Sequence, residues 1–165
     1  MTDYPEFSIE HRPSQPFVGA TASVQMDHFA PAADQIPAIL SWLAQQGVEP
    51  TGAVFFRYLV IDMAADLVIQ VGVPVAAEPA DPGPWEVDSL PAGQYVTTTF
   101  TGPGDRLMGV TGDLLTWTKD QGLQLDQHPS DAGDVFGCRL EIYETDPTEV
   151  AADAWVTTLA FRLAD

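Results

Sequence analysis

Ser41-Trp42-Leu43-Ala44-Gln45-Gln46-Gly47-Val48 and Thr116-Trp117-Thr118-Lys119-Asp120-Gln121-Gly122-Leu123 carry Trp, Gln and Gly at matched places. Each stretch closes an amphipathic segment. Ile36, Ile39, Leu40 and Leu43 stand at i, i+3, i+4 and i+7, the spacing of one apolar helical face. Leu107, Val110, Leu114 and Trp117 form a second such stripe, set up by Gly102-Pro103-Gly104-Asp105, and Gly47 and Gly122 are helix stops. Two helices of similar length are expected, the first running about four turns from Pro31.

Working outward, each helix is preceded by strand-like residues and followed by two β-rich runs. In the first half Phe7 to Glu10 and Phe17 to Val24 form a strand split by Pro13 and Pro16; after the helix come Ala53 to Ile61 and Leu67 to Val75, a hairpin across residues 62–66. In the second half Trp85 to Leu90 and Gln94 to Thr101 flank Pro91-Ala92-Gly93. A polar loop with His128-Pro129-Ser130-Asp131 follows the helix, and then Phe136 to Thr145 and Ala154 to Leu163 form a hairpin across Asp146-Pro147. Arg57-Tyr58-Leu59-Val60-Ile61 resembles Arg139-Leu140-Glu141-Ile142-Tyr143. The order β-α-β-β thus occurs twice, in half-repeats at about 1–76 and 85–165. They are joined by a connector over 77–84 that carries Pro79, Pro82 and Pro84. The expected fold is α+β: duplicated β-α-β-β units in one domain over 1–165, giving a curved antiparallel sheet with two helices on one face and a groove between them.

Composition narrows the functional classes. The chain has 165 residues, enough to bury roughly 70% of its unfolded surface without metal or disulfide support. Six Lys plus Arg stand against 24 Asp plus Glu, for a net charge of -18, opposite to what a phosphate backbone attracts. No direct nucleic-acid binding is expected. Cys138 is the one cysteine, so no internal disulfide forms. No stretch approaches the roughly 18 apolar residues of a membrane span, and the first residues lack the pattern of a signal peptide. A soluble cytoplasmic protein without membrane association is the expectation. His11, His28 and His128 lack the spacing of a helical metal pair, and no Gly-rich phosphate loop or nucleophile elbow occurs. Neither metal nor cofactor is expected.

Gly137-Cys138-Arg139-Leu140-Glu141-Ile142-Tyr143-Glu144 is the segment with chemistry. On a strand, Arg139, Glu141 and Tyr143 share one face and Leu140 and Ile142 the other. The polar face admits two readings. It is either a solvent-facing side with Glu141 paired to Arg139, or the floor of a cleft in which a carboxylate among aromatic rings receives a lipophilic cation or acts as an acid/base of raised pKa. Rings able to complete such a cleft are Trp42, Trp117, Tyr58, Tyr95, Phe55, Phe56, Phe100 and Trp155, although large rings also dominate ordinary cores.

These residues resemble the GyrI-like small-molecule-binding domains, known also as the effector-binding domain of bacterial multidrug-responsive transcription activators and grouped with the SOUL-like superfamily. The resemblance spans nearly the whole chain. It rests on the duplicated order and on four stretches: Gly52-Ala53-Val54-Phe55-Phe56-Arg57-Tyr58, Val71-Gly72-Val73-Pro74-Val75, Leu90-Pro91-Ala92-Gly93-Gln94-Tyr95, and Leu140-Glu141-Ile142-Tyr143 with Asp146-Pro147. It implies a carboxylate on the penultimate strand at the bottom of an aromatic groove between the helices, in contact with cationic drugs. Glu141 matches that position.

On this basis the expected protein stands alone and takes hydrophobic, often cationic, multi-ring compounds into the groove, for drug sequestration or resistance. Glu141, Tyr143, Tyr95, Trp42, Trp117, Tyr58 and Phe56 are the candidate ligand-binding residues. The resemblance also admits a hydrolase that opens the cyclopropane ring of DNA-alkylating natural products, with Glu141 and Tyr143 catalytic. A third alternative is a modulator of gyrase or another protein partner.

Overall fold

The computed structural model describes residues 6–25, 28–62, 66–146 and 148–165. Among these residues ten strands and three α-helices run in the order β1 (Ser8–Arg12), β2 (Gln15–Val24), α1 (Ala30–Ala33), α2 (Gln35–Gln45), β3 (Phe55–Ile61), β4 (Leu67–Pro74), β5 (Glu86–Leu90), β6 (Gly93–Thr101), α3 (Leu107–Asp120), β7 (Gln127–Ser130), β8 (Gly133–Phe136), β9 (Arg139–Tyr143) and β10 (Val156–Arg162). The strands form a curled antiparallel sheet in the order β1-β6-β10-β9-β3-β4-β2-β5, with the β7–β8 hairpin attached to β3. The expected turn at 62–66 includes residues 63–65, and that at Asp146-Pro147 includes Pro147; these four lie outside the described residues.

The two halves repeat one plan in detail. β1 and β5 are each five residues long and each stops just before a proline, Pro13 or Pro91, whose missing N–H cannot continue a ladder. Both helices end on a glycine of positive φ, Gly47 at 71° and Gly122 at 72°. The closing hydrogen bonds match too: Val48 N–H donates to the Leu43 carbonyl and Leu123 N–H to that of Thr118. The leading strands are exchanged, however. β1 pairs with β6 of the second half and β5 with β2 of the first, so each half supplies the outermost strand of the other's sheet.

Several sequence expectations change. The first helix is broken at Asp34 into α1 and α2, because Pro37 has no N–H to bond the Ala33 carbonyl and its ring crowds that group. The polar loop at His128-Pro129-Ser130-Asp131 is in part a strand, β7, paired with β8. The matching of Arg57 with Arg139 also fails. Register pairs Phe56 with Glu141 and Arg57 with Leu140, which puts Arg57 and Arg139 on opposite faces.

Three apolar clusters hold the sheet. On the helix-bearing face, Ile39 and Leu43 of α2 pack with Val18, Ile69, Val71 and Val73, while Val110 and Leu114 of α3 pack with Val96, Phe100, Leu159 and Phe161. Phe17, Phe55, Tyr95, Cys138, Leu140, Ile142 and Ala160 form the third cluster. The alternation of β9 puts Leu140 and Ile142 opposite Arg139, Glu141 and Tyr143, so this third cluster covers the other face. Each helix sits over its own half, α2 on β4 and β2, α3 on β6. The two central strands, β3 and β9, run between them.

Candidate functional site

The site is built where β3 meets β9. Phe56 and Glu141 are cross-strand partners, and Leu159 faces Glu141 from β10. Two residues further along each central strand stand Tyr58 and Tyr143. In antiparallel strands these positions lie on the same face on either side of the Phe56–Glu141 pair. The duplication therefore delivers two phenols to one carboxylate. Tyr143 Oη donates to Glu141 Oε1 at 3.2 Å, and the Tyr58 hydroxyl hydrogen-bonds the same carboxylate.

Aromatic rings close around this group. Phe56 meets Tyr143 edge-to-face at 5.1 Å between centroids, and Phe29, at the start of α1, lies 6.4 Å from Phe56. Burial pushes the Glu141 carboxyl above its usual range, against the lowering effect of both phenols and of Arg139. The same burial, together with the Glu141 charge, holds both tyrosine hydroxyls in their neutral, donating form.

Arg139 does not neutralise the carboxylate by contact. Among the described residues the ion pairs within 4.0 Å are Arg12–Glu10, Arg162–Asp126 and Arg162–Asp165. The Arg139 guanidinium instead lies 4.8 Å from the Phe136 ring centre, 4.6 Å from that of Phe161 and 6.0 Å from that of Tyr58. The simple surface pair expected as one reading of this strand is not what forms. Glu141 is a partly buried acid served by neutral donors, with its nearest cation stacked on rings.

Of the candidate residues, Phe56, Tyr58, Glu141 and Tyr143 come together. Trp42 packs at the edge of the α2 cluster, with Gly83 of the connector close against its indole. Trp117 packs in the α3 cluster, 5.9 Å from Phe7. Tyr95 is buried on the opposite face, where its hydroxyl donates to the Pro91 carbonyl at 2.6 Å; sequence parity could not place it, since β6 and β9 are separated by β10. Phe29 was not singled out in the sequence, and its only signal is its place just before the first helix. Cys138 is buried beside Tyr95 with its thiol pushed up by desolvation, which does not suit a nucleophile. No group of three or more His, Cys, Asp and Glu among the described residues is arranged to hold a metal. No helix among them is long and apolar enough to cross a membrane.

A curled sheet carrying two helices, with an acid and aromatic rings between them, defines a small-molecule-binding domain of the α+β class. The chain belongs to the GyrI-like family, described as the GyrI-like small molecule binding domain, whose model matches residues 5–164. Among solved structures it is similar to the C-terminal domain of EcmrR, with 17% identity, a TM-score of 0.77 and coverage of 98% of both chains. It spans 58% of the EcmrR chain solved in complex with DNA. It is also similar to SAV2435 bound to tetraphenylphosphonium, with 11% identity, a TM-score of 0.60 and coverage of 96% of this chain and 94% of that one. A hydrolase from Listeria innocua matches at 14% identity and a TM-score of 0.64, over 96% of this chain and 92% of that one. No curated protein matches the chain.

Proposed function

We propose that the region around Glu141 takes hydrophobic cations of several rings, and that the protein acts by holding them, as a binding or sequestering module for drug-like compounds. The observation that carries this reading is a partly buried carboxylate, hydrogen-bonded by two phenols and walled by rings, with no cation in ion-pair contact among the described residues. A desolvated carboxylate is costly unless a cation meets it. A delocalised organic cation is weakly hydrated, stacks on rings through cation–π attraction, and restores the missing charge. SAV2435, of the same fold, was solved with such a cation.

The rings against which such a ligand would stack are Phe29, Phe56 and Tyr143. Titration with tetraphenylphosphonium, followed by calorimetry and by amide NMR, tests the reading. A roughly micromolar dissociation constant, about -8 kcal/mol, is expected, with the largest NMR shifts at Tyr58, Glu141 and Tyr143. Absence of binding at millimolar ligand, or shifts centred elsewhere, overturns it.

The same geometry favours one second reading. An acid of raised pKa beside two neutral phenols is placed to take up and return a proton. In a cyclopropanoid hydrolase the Glu141 carboxylate would take a proton from the water that attacks the strained ring. Tyr143 or Tyr58 would steady the carbonyl oxygen that receives the electrons of the breaking C–C bond.

A further inference from the structure

The chain has six cationic side chains, and four of them make their contacts elsewhere in the fold. Arg12 pairs with Glu10 at 3.0 Å, and Arg162 with Asp126 at 2.9 Å and Asp165 at 3.2 Å. Arg57 donates to the Gly137 carbonyl at 2.8 Å and to Gln70 at 3.3 Å, and Arg106 lies 5.3 Å from the Phe100 ring centre. The other two, Arg139 and Lys119, line one cleft of about 490 Å³ between the last turn of α3 and the β7–β8 hairpin. Among the described residues neither makes an ion pair, and neither donates a side-chain hydrogen bond to the protein.

This cleft has the parts of a binding site. The Arg139 guanidinium lies over the rings of Phe136 and Phe161, and its N–H groups form a fork suited to a carboxylate. Arg139 is half-buried and lines the cleft. Leu115, Leu123 and Leu125 supply apolar wall, and the volume lies in the range of small-molecule pockets. Asp134 lines the cleft too, as an exposed side chain. Arg139 and Lys119 put two cations on one hollow of a chain of net charge -18; Glu141 and Asp134 act on Arg139 at a distance, without an ion pair within 4.0 Å among the described residues.

We propose that this cleft is a second ligand site, separate from Glu141, that takes an aromatic carboxylate: the carboxylate between Arg139 and Lys119, the ring system along the three leucines. It does not depend on the reading of Glu141, because its residues other than Arg139 belong to α3, the segment after it and the β7–β8 hairpin.

The test is calorimetry with naphthalene-2-carboxylate, its neutral analogue naphthalene-2-methanol, and inorganic phosphate. The carboxylate is expected to bind at least about tenfold more tightly than the alcohol, as a charge-assisted contact requires, and phosphate is expected not to displace it. Lys119→Glu, at an exposed position, is expected to weaken the carboxylate about tenfold or more while leaving tetraphenylphosphonium binding unchanged. Arg139→Gln, checked for folding by circular dichroism, is expected to abolish the preference for carboxylate over alcohol. Equal affinity for acid and alcohol, displacement by phosphate at similar concentration, or an unchanged carboxylate affinity in Lys119→Glu overturns the proposal.

Discussion

Replacing Glu141 by Gln keeps shape and one hydrogen-bond acceptor while removing the charge, so it isolates electrostatics from packing. Tyr143 and Tyr58 can still donate to the amide oxygen, and the cross-strand contacts with Phe56 and Leu159 stay. The energy lost is that of a charged partner in a partly desolvated place, about 1.5–3 kcal/mol, against at most about 1 kcal/mol for an exposed pair. At about 1.4 kcal/mol per tenfold change, a micromolar dissociation constant for tetraphenylphosphonium should rise to roughly 10–100 µM. The assay is calorimetric titration of wild type and variant with tetraphenylphosphonium and with neutral triphenylphosphine oxide, whose binding should change little. Equal weakening of both ligands would refute the argument, for it would mean that Glu141 supports packing and not charge recognition. Acid should mimic the variant: the cation needs the ionised carboxylate, and its raised pKa means that affinity starts to fall at a pH above the ordinary carboxylate range.

Stability should move the other way. Because the folded pKa of Glu141 is raised, the native state holds its proton longer than the unfolded chain does. Stability is therefore lost as pH rises from the ordinary carboxylate pKa through the raised one. Thermal melts should then show Glu141→Gln gaining on wild type across that window and matching it below, whereas a pH-independent difference would sink the assignment. If the hydrolase reading holds, mass spectrometry of a cyclopropane-bearing alkylator should show a water adduct with wild type, and Glu141→Gln should slow its formation by about 10²–10⁴-fold; unaltered ligand recovered with both proteins leaves a binder. Gly47→Ala and Gly122→Ala should each cost about 1 kcal/mol in urea unfolding. Nothing lies within 4 Å of the added carbon at either glycine, so the loss comes from positive φ alone, and a gain at either would contradict the cap geometry. Duplex DNA should not be retarded by the pure protein at physiological salt, given the net charge; retention at sub-micromolar concentration would place nucleic acid ahead of small molecules.

The sequence alone determined the parts of this protein that depend on neighbours along the chain. Helical periodicity located α2 and α3, the glycines at 47 and 122 marked their ends, and prolines at 13 and 91 split the leading strands. Period-two alternation put Arg139, Glu141 and Tyr143 on one face of β9. Tertiary structure decided everything that depends on which strand lies beside which. β3 reads Phe-Phe-Arg-Tyr-Leu-Val-Ile and is at least partly covered on both faces, so its pattern cannot say whether Phe56 and Tyr58 or Phe55 and Arg57 accompany Glu141. Backbone register settles it, and a shift of one residue would exchange Tyr58 for Arg57 beside the acid. The exchange of β1 and β5 between halves and the burial of Tyr95 on the far face arise the same way, from pairings as distant as Gly19 with Glu86 and Ser8 with Thr97, or across an intervening strand. Such pairings leave no periodicity in the chain, because their energy comes from backbone ladders that any residue but proline can make.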